Sequence, residues 1–421
     1  MKSRPIVASL SHIVRLALPV VALPIVTRLL DASGVATYLV LIQLAMICSV
    51  VAELGSSVYL YHDLAEPFDD SAILGTFYAD LGGRLTTYLL ISPLLFLMID
   101  YFVTSYLDVC LVVVGGWLFG SGVSILRRYA TSIKRIVVAD CAAVAAYVGA
   151  FAAVARSGAS ASSLFAVLVL AMAVTQAIQI VPDLRSPMHR RSRRLAVIDL
   201  LRARSGHLLV RACTVALAQS SVPILAALFG LYAAAMIGVG ERLFAIIANV
   251  ALVVTSGAAP LVALQARHSP GQALRSWTML CLAIMLGYAL TCLAMIYRTD
   301  DFSAGLFGNG FAQAGRYIPL LAMIHGLVLL NLLLVQGWLA PLGLAQRIAW
   351  MMPVSLLVGG GLIAWGRDIG PDIVLIARLA AEALILLAAC AVSARSMARA
   401  MSGQPPGRSN GASPPAPTDN H

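Results

Sequence analysis

Apolar residues run through most of this chain in blocks of about twenty, the length a helix needs to cross a hydrocarbon core. Short polar, glycine- or proline-bearing stretches separate the blocks. Twelve blocks are long enough, near residues 9–30, 37–61, 85–103, 107–126, 136–155, 162–182, 207–229, 232–260, 275–297, 317–340, 348–366 and 372–394. Within a block the pattern is neither alternating nor one-faced. The stretch LVLIQLAMICSVVA is apolar all round, as a helix wrapped in lipid or in other helices must be. The pattern predicts an all-α polytopic membrane protein of twelve transmembrane helices. The first block is too long to be a cleaved signal peptide and leads through a tight turn into the second. Residues 402–421, SGQPPGRSNGASPPAPTDNH, are rich in Pro, Gly, Ser and Asn and are expected to form a disordered cytoplasmic tail.

Composition sharpens this picture. Of 421 residues, 60% are hydrophobic and 11% charged, with a mean hydropathy of +0.89. Soluble domains carry roughly 25% charged residues, so a soluble domain and a disordered chain are both excluded. The net charge is +10, and only two of the 29 basic residues are lysines, Lys2 and Lys134. In a soluble protein such a balance would suggest nucleic acid. Here it reports topology, and no nucleic-acid partner is expected. With the N-terminus inside, 20 basic residues fall on the cytoplasmic side and 6 outside, which predicts both termini in the cytoplasm. The longest basic loop, PDLRSPMHRRSRRLAVIDLLRARSG, lies between the sixth and seventh blocks and suits anionic headgroups. It divides the chain into an N-terminal six-helix bundle (1–182), a basic cytoplasmic linker (183–206) and a C-terminal six-helix bundle (207–401). Seven cysteines lie in apolar runs with no CxxC pair, so neither disulfides nor a metal site are expected.

Nothing in the chain is built to break a bond. Neither lysine follows a glycine, so there is no Walker A loop, and no histidine precedes a glutamate as HExxH requires. Asp300 and Asp301 form the single acidic pair expected outside, in the short loop RTDDFSAGLFGNGFAQAG. An enzyme is not expected, nor a cofactor.

The two sets of six begin alike. His12 and Arg15 open the first, His207 and Arg211 the second; each then gives an apolar span, an outer turn with Gly and Tyr (Gly34, Tyr38; Gly230, Tyr232) and a long second span. Two bundles related by an axis along the membrane normal place a substrate path between them. The passages LPIVTRLLDASGVATYLVLIQLAMICSVVAELGSSV, FGLYAAAMIGVGERLFAIIANVALVVTSGAAPLVALQAR with its Pro260, and LFGNGFAQAGRYIPLLAMIHGLVLLNLLLVQGWLAPLGLAQR resemble the Wzx-type polysaccharide flippases. These are a branch of the MATE-like multidrug/oligosaccharidyl-lipid/polysaccharide superfamily. The resemblance implies a V-shaped, twelve-helix transporter of the bacterial inner membrane. It would move a polyprenyl-diphosphate-linked oligosaccharide from the cytoplasmic to the periplasmic leaflet, alongside a polymerase and a chain-length regulator.

Charges inside spans are costly, about 2.5–3.5 kcal/mol each at the helix centre, so each needs a reason. Arg15 and Arg211 sit at matching places near the cytoplasmic ends of the first and seventh spans. Either they snorkel to the interface or they face a common cavity. Arg242, beside Glu241, lies near the middle of the eighth span. It is either in a buried ion pair with Glu53 or Glu241, or an anion site in a water-filled cavity. Glu53, in the second span, is either a static partner of Arg15 or Arg242 or an acid that exchanges a coupling proton. Arg378 and Glu382, four apart, are expected to pair with each other, and Asp140 to lie at the interface. Gln43, Gln176, Gln179, Gln219, Asn249, Asn331 and Gln336 are expected mostly to make interhelical hydrogen bonds. Pro19 and Pro24 make the first helix a candidate moving part.

Arginine binds phosphate oxygens through a planar fork and keeps its charge when buried. Arg242, Arg15 and Arg211 are therefore the candidate diphosphate- and sugar-binding residues, and Glu53 the candidate for ion coupling. The alternative is a MATE-type cation-coupled exporter of small organic molecules, in which carboxylates would dominate the cavity.

Overall fold

The computed structural model describes residues 21–54, 70–103, 105–121, 133–184, 208–209, 211–340, 342 and 344–401. No strand occurs among them. The helices are α1 (Leu23–Leu29), α2 (Ala32–Glu53), α3 (Asp70–Asp100), α4 (Tyr106–Gly120), α5 (Ile133–Ser157) and α6 (Ala161–Leu184). They continue as α7 (Arg211–Gln219 and, beyond a 48° bend, Ser221–Phe229), α8 (Leu231–His268) and α9 (Pro270–Tyr297). After a short surface helix, Thr299–Phe307, come α10 (Ile318–Asn331, continued as a π-helix over Leu332–Leu339), α11 (Met351–Trp365) and α12 (Asp372–Met401). Seven of the described helices are long and apolar enough to cross a membrane, or eight if the bent α7 is one span.

Helix ends follow local chemistry. Asp31 caps α2, its carboxylate accepting from the backbone N–H of Gly34 at 2.8 Å. Gly230, at φ 86°, makes the turn from α7 into α8, a backbone region that suits glycine. These turns are not equivalent, and neither are the tyrosines matched across the halves. Tyr38 is buried, whereas Tyr232 is exposed and donates to Gln313. Pro24 stands in the first turn of α1, where its missing N–H costs nothing. Pro19, His12 and Arg15 lie outside the described residues, as do most of the 183–206 loop and the 402–421 tail.

Packing separates the helices into central and peripheral ones. α2 lies against α3, α4 and α6, and α5 against α6; α12 lies against α10 and α11, and α8 against α7, α9 and α10. The two groups meet where α2 crosses α8 and the second segment of α7. Of the apolar stretch of α2, 78% is buried, against 17% for α9, so α2 is central and α9 peripheral. Small residues set the closest approach, between α2 and α4. A Cβ on Gly120 would overlap the backbone oxygen of Ser49, and one on Gly116 the Cβ of Cys48. Without a hydrophobic drive between helices in lipid, such close packing is what holds them. Gly120→Val should therefore part α2 from α4 and lower the melting temperature of the purified protein by several degrees. An unchanged melting curve would mean that this contact contributes nothing.

The third helix departs from expectation. The turn EPFDDSAILGTFYADLGG is helical from Asp70, so Arg84 is not a loop residue but lies inside α3, fully buried. Its Nε is 3.1 Å from the Asp80 carboxylate, one turn earlier. Its Nη1 donates to the carbonyls of Ala52 (3.4 Å) and Gly120 (3.3 Å). Those carbonyls belong to the last turns of α2 and α4, where helices leave acceptors unpaired and carry partial negative charge. Asp140, expected at the interface, is buried as well.

Candidate functional site

The seam between α2 and α8 carries a row of buried polar side chains. The bend in α7 frees the N–H of Val222, and the following Pro223 has none to offer. Gln43 of α2 fills that gap: its Oε1 accepts from Val222 N at 3.2 Å. Its Nε2 donates to Glu241 Oε2 of α8 at 3.5 Å. The other Glu241 oxygen accepts from Arg378 Nη1 of α12 at 2.6 Å, and Arg378 also donates to Ser221 at 3.3 Å. Four helices from both groups are thus joined through one carboxylate. The expected pair within α12 does not form. Arg378 turns to Glu241, and the Glu382 carboxylate accepts from Asn331 of α10 at 2.7 Å. A neighbouring helix offers Arg378 a buried carboxylate, which leaves the one on its own helix to an amide.

Arg242 follows Glu241 directly and points about 100° away around the helix. It lies eleven residues into α8, roughly 17 Å of rise from the start of that helix. Among the described residues it makes no ion pair and no hydrogen bond, and its Nε and Nη2 are buried without a partner. Neither carboxylate considered as its partner pairs with it, since Glu241 is taken by Arg378 and Glu53 by Arg211. Tyr38 and the charges of Glu241 and Arg378 are its electrostatic neighbours. The Tyr38 hydroxyl faces that of Tyr147 of α5, and both tyrosines are buried. An unpaired buried donor costs about 1–3 kcal/mol, more when charged. The arrangement therefore favours any acceptor-rich anion that reaches it.

Arg211 does not join this cluster. Its Nε lies 2.8 Å from Glu53 Oε2 at the far end of α2. Fifteen residues of α2 separate Glu53 from Tyr38, roughly 22 Å of helix. Arg211 and Arg242 therefore stand apart, and Glu53 pairs with Arg211 and not with Arg242, while Arg15 lies outside the described residues. At the opposite end Arg28 donates to the Gly305 carbonyl (3.1 Å), and Arg316 lies 3.4 Å from Asp372.

His325 of α10 escaped notice in the sequence. It is buried, stacked on Phe244 at 5.4 Å, with neither ring nitrogen hydrogen-bonded among the described residues. Nor did the sequence single out Tyr147, whose neighbours Ala145, Ala146 and Val148 look like ordinary helix packing. Among the described residues no group of His, Cys, Asp and Glu could hold a metal ion.

With this geometry in view, three solved structures bear comparison. The eukaryotic MATE transporter AtDTX14 aligns over 94% of each chain with a TM-score of 0.60 and 12% identity. The chain has the fold of the MATE transporters. The inward-facing conformation of a multidrug resistance MATE family transporter of the MOP superfamily aligns over 96% of this chain and 95% of its own, with a TM-score of 0.61 and 11% identity. A point mutant of the Vibrio cholerae MATE transporter VcmN aligns over 96% of each chain, with a TM-score of 0.54 and 14% identity. No family model matches the chain, and no curated protein does. The MATE fold and the apolar helices make this a multi-pass membrane protein of transporter architecture, and these neighbours are transporters, not enzymes.

Proposed function

We propose that this protein is a flippase of twelve spans in two six-helix bundles, with both termini in the cytoplasm of a bacterium. Its cargo is a polyprenyl-diphosphate-linked oligosaccharide, moved across the inner membrane for cell-surface polysaccharide synthesis. The observation that carries this reading is Arg242, a mid-membrane guanidinium at the seam of the two helix groups with no carboxylate paired to it. An organic cation gains nothing from such a group, whereas a diphosphate does. The basic 183–206 segment would rest on anionic lipid, and a polymerase and chain-length regulator would be its partners.

A second reading, a cation-coupled exporter of small organic molecules, is favoured by Glu382. That carboxylate is buried, hydrogen-bonded to Asn331 and without a cation within ion-pairing distance among the described residues. It suits a coupling ion better than Glu53 does.

The two readings differ in the sign of a voltage effect. A diphosphate headgroup carries roughly two negative charges, so a potential negative on the loading side drives it outward by about 2.3 kcal/mol per charge per 100 mV. In proteoliposomes holding purified lipid-linked substrate, a potential of that polarity should speed translocation. Translocation that is slowed by it, or an absence of translocation together with uptake of organic cations, would overturn the flippase reading.

A further inference from the structure

The neighbourhood of Arg242 holds more hydrogen-bond donors than acceptors. Arg242 brings Nε–H and the two protons of Nη2, all buried and unpartnered among the described residues. The hydroxyls of Tyr38 and Tyr147 are also buried, and among the described residues neither makes a well-formed hydrogen bond. They face each other, and Tyr38 faces the charge of Arg242. If one phenol donates to the other, a free O–H still remains beside three guanidinium protons. A phenol keeps one acceptor site, which the second phenol can use; the adjacent Glu241 carboxylate already serves Gln43 and Arg378. Buried polar groups in a folded chain are normally paired. A buried cluster in which donors outnumber acceptors suits an anion with several oxygens.

The three residues also come from different parts of the fold. Tyr38 is on α2 and Tyr147 on α5, while Arg242 is on α8 across the seam. Their rings are fixed in place: Tyr147 stacks on Phe151 at 5.8 Å, and Tyr38 is 1% exposed. Arg242 is only partly covered, which gives the cluster one edge open to a ligand. We infer that Tyr38 and Tyr147 are positioning residues that donate to the substrate's diphosphate opposite Arg242, so that the bound anion joins the two helix groups. Parting α2 from α8 separates the phenols from the guanidinium, and the same movement that opens the seam releases the headgroup. This rests on the Arg242 reading above and adds to it both the hydroxyl arm and the route of release.

The test uses the full chain in nanodiscs, with farnesyl diphosphate, farnesyl monophosphate and farnesol as probes, titrated calorimetrically. Tyr38→Phe and Tyr147→Phe should each weaken diphosphate binding severalfold, and the double variant about tenfold or more, at one hydrogen bond to a charged group per hydroxyl. Farnesol binding should not change, and the preference for diphosphate over monophosphate should shrink. Phe keeps the ring, so wild-type melting is expected. Should either variant melt early, 3-fluorotyrosine at the same position keeps the size and strengthens the donor, and diphosphate should then bind more tightly. A double Phe variant that binds diphosphate like the wild type, while Arg242→Gln loses it, would reduce the tyrosines to packing and leave the Arg242 reading intact. Unaltered affinity with fluorotyrosine would overturn the inference equally. If the wild-type protein does not distinguish farnesyl diphosphate from farnesol, the anion site itself fails, and the inference with it.

Discussion

Arg242→Ala should abolish export of the lipid-linked glycan while leaving the protein at its wild-type level. The two halves of this expectation have one cause. Among the described residues the guanidinium pairs with nothing, so its removal strands no carboxylate and opens no broken network. A structural arginine behaves differently, because truncating it leaves a buried charge behind. What Arg242→Ala removes is the charge and the fork offered to the substrate. Losing one partner of a buried, hydrogen-bonded charge pair costs about 2–5 kcal/mol. At about 1.4 kcal/mol per factor of ten, that is a loss of at least roughly thirtyfold in affinity. Arg242→Lys should recover part of the export, since lysine returns the charge as a point without the planar fork. Arg211→Ala should behave in the opposite way. It frees Glu53 from its 2.8 Å partner and should lower protein level more than intrinsic transport. Both are measured by surface glycan and membrane-protein level in cells whose own gene is deleted. Wild-type export from Arg242→Ala cells at native expression would sink the role.

The helices were legible because the hydrocarbon sets their length. A run such as Ala32–Glu53 has one physical solution, and the separators Asp31 and Gly230 stand where helices begin. Charges inside helices were legible one at a time but not in pairs. Arg84 read as a loop residue because Asp80 and Arg84 interrupt an apolar run, yet the two neutralise each other within α3. Arg378 read as the partner of Glu382 because spacing within a helix is all that a sequence displays. The carboxylate it takes, Glu241, is 137 positions away. Arg242 was recognisable as a problem, since a mid-span arginine must be paired or useful. That it is unpaired among the described residues became visible only once Glu53 and Glu241 were seen to be occupied. Tyr38 stood out only as the tyrosine of an outer turn and Tyr147 not at all: a buried tyrosine in an apolar run looks like packing until its hydroxyl is found without a firm partner.

Arg84→Ala should be the most destabilising single substitution considered, by about 3–5 kcal/mol, the range for breaking a buried charge pair from one side. Arg84 is fully buried inside a helix, and its guanidinium serves three elements. It lies against the Asp80 carboxylate, itself 2% exposed, and donates to the final carbonyls of α2 and α4. Alanine deprives Asp80 of this cation and leaves two helix C-termini short of a donor. Arg84→Lys should recover less than half of the loss, because a single ammonium cannot meet the carboxylate and both carbonyls in the same geometry. Replacing both charges together, Asp80→Leu with Arg84→Met, should recover more, since no uncompensated charge then stays buried. The measurement is thermal unfolding of the purified protein in detergent. A melting temperature for Arg84→Ala within a degree of wild type would show that the bolt carries no load. The effect reaches the proposed diphosphate site by way of α2. The same helix that Arg84 fixes at its C-terminal turn carries Gln43 and Tyr38 further along, at the seam with α8. A loosened α2 should therefore also weaken diphosphate binding in Arg84→Lys, although Arg84 meets α2 at Ala52, roughly 21 Å of helix from Tyr38.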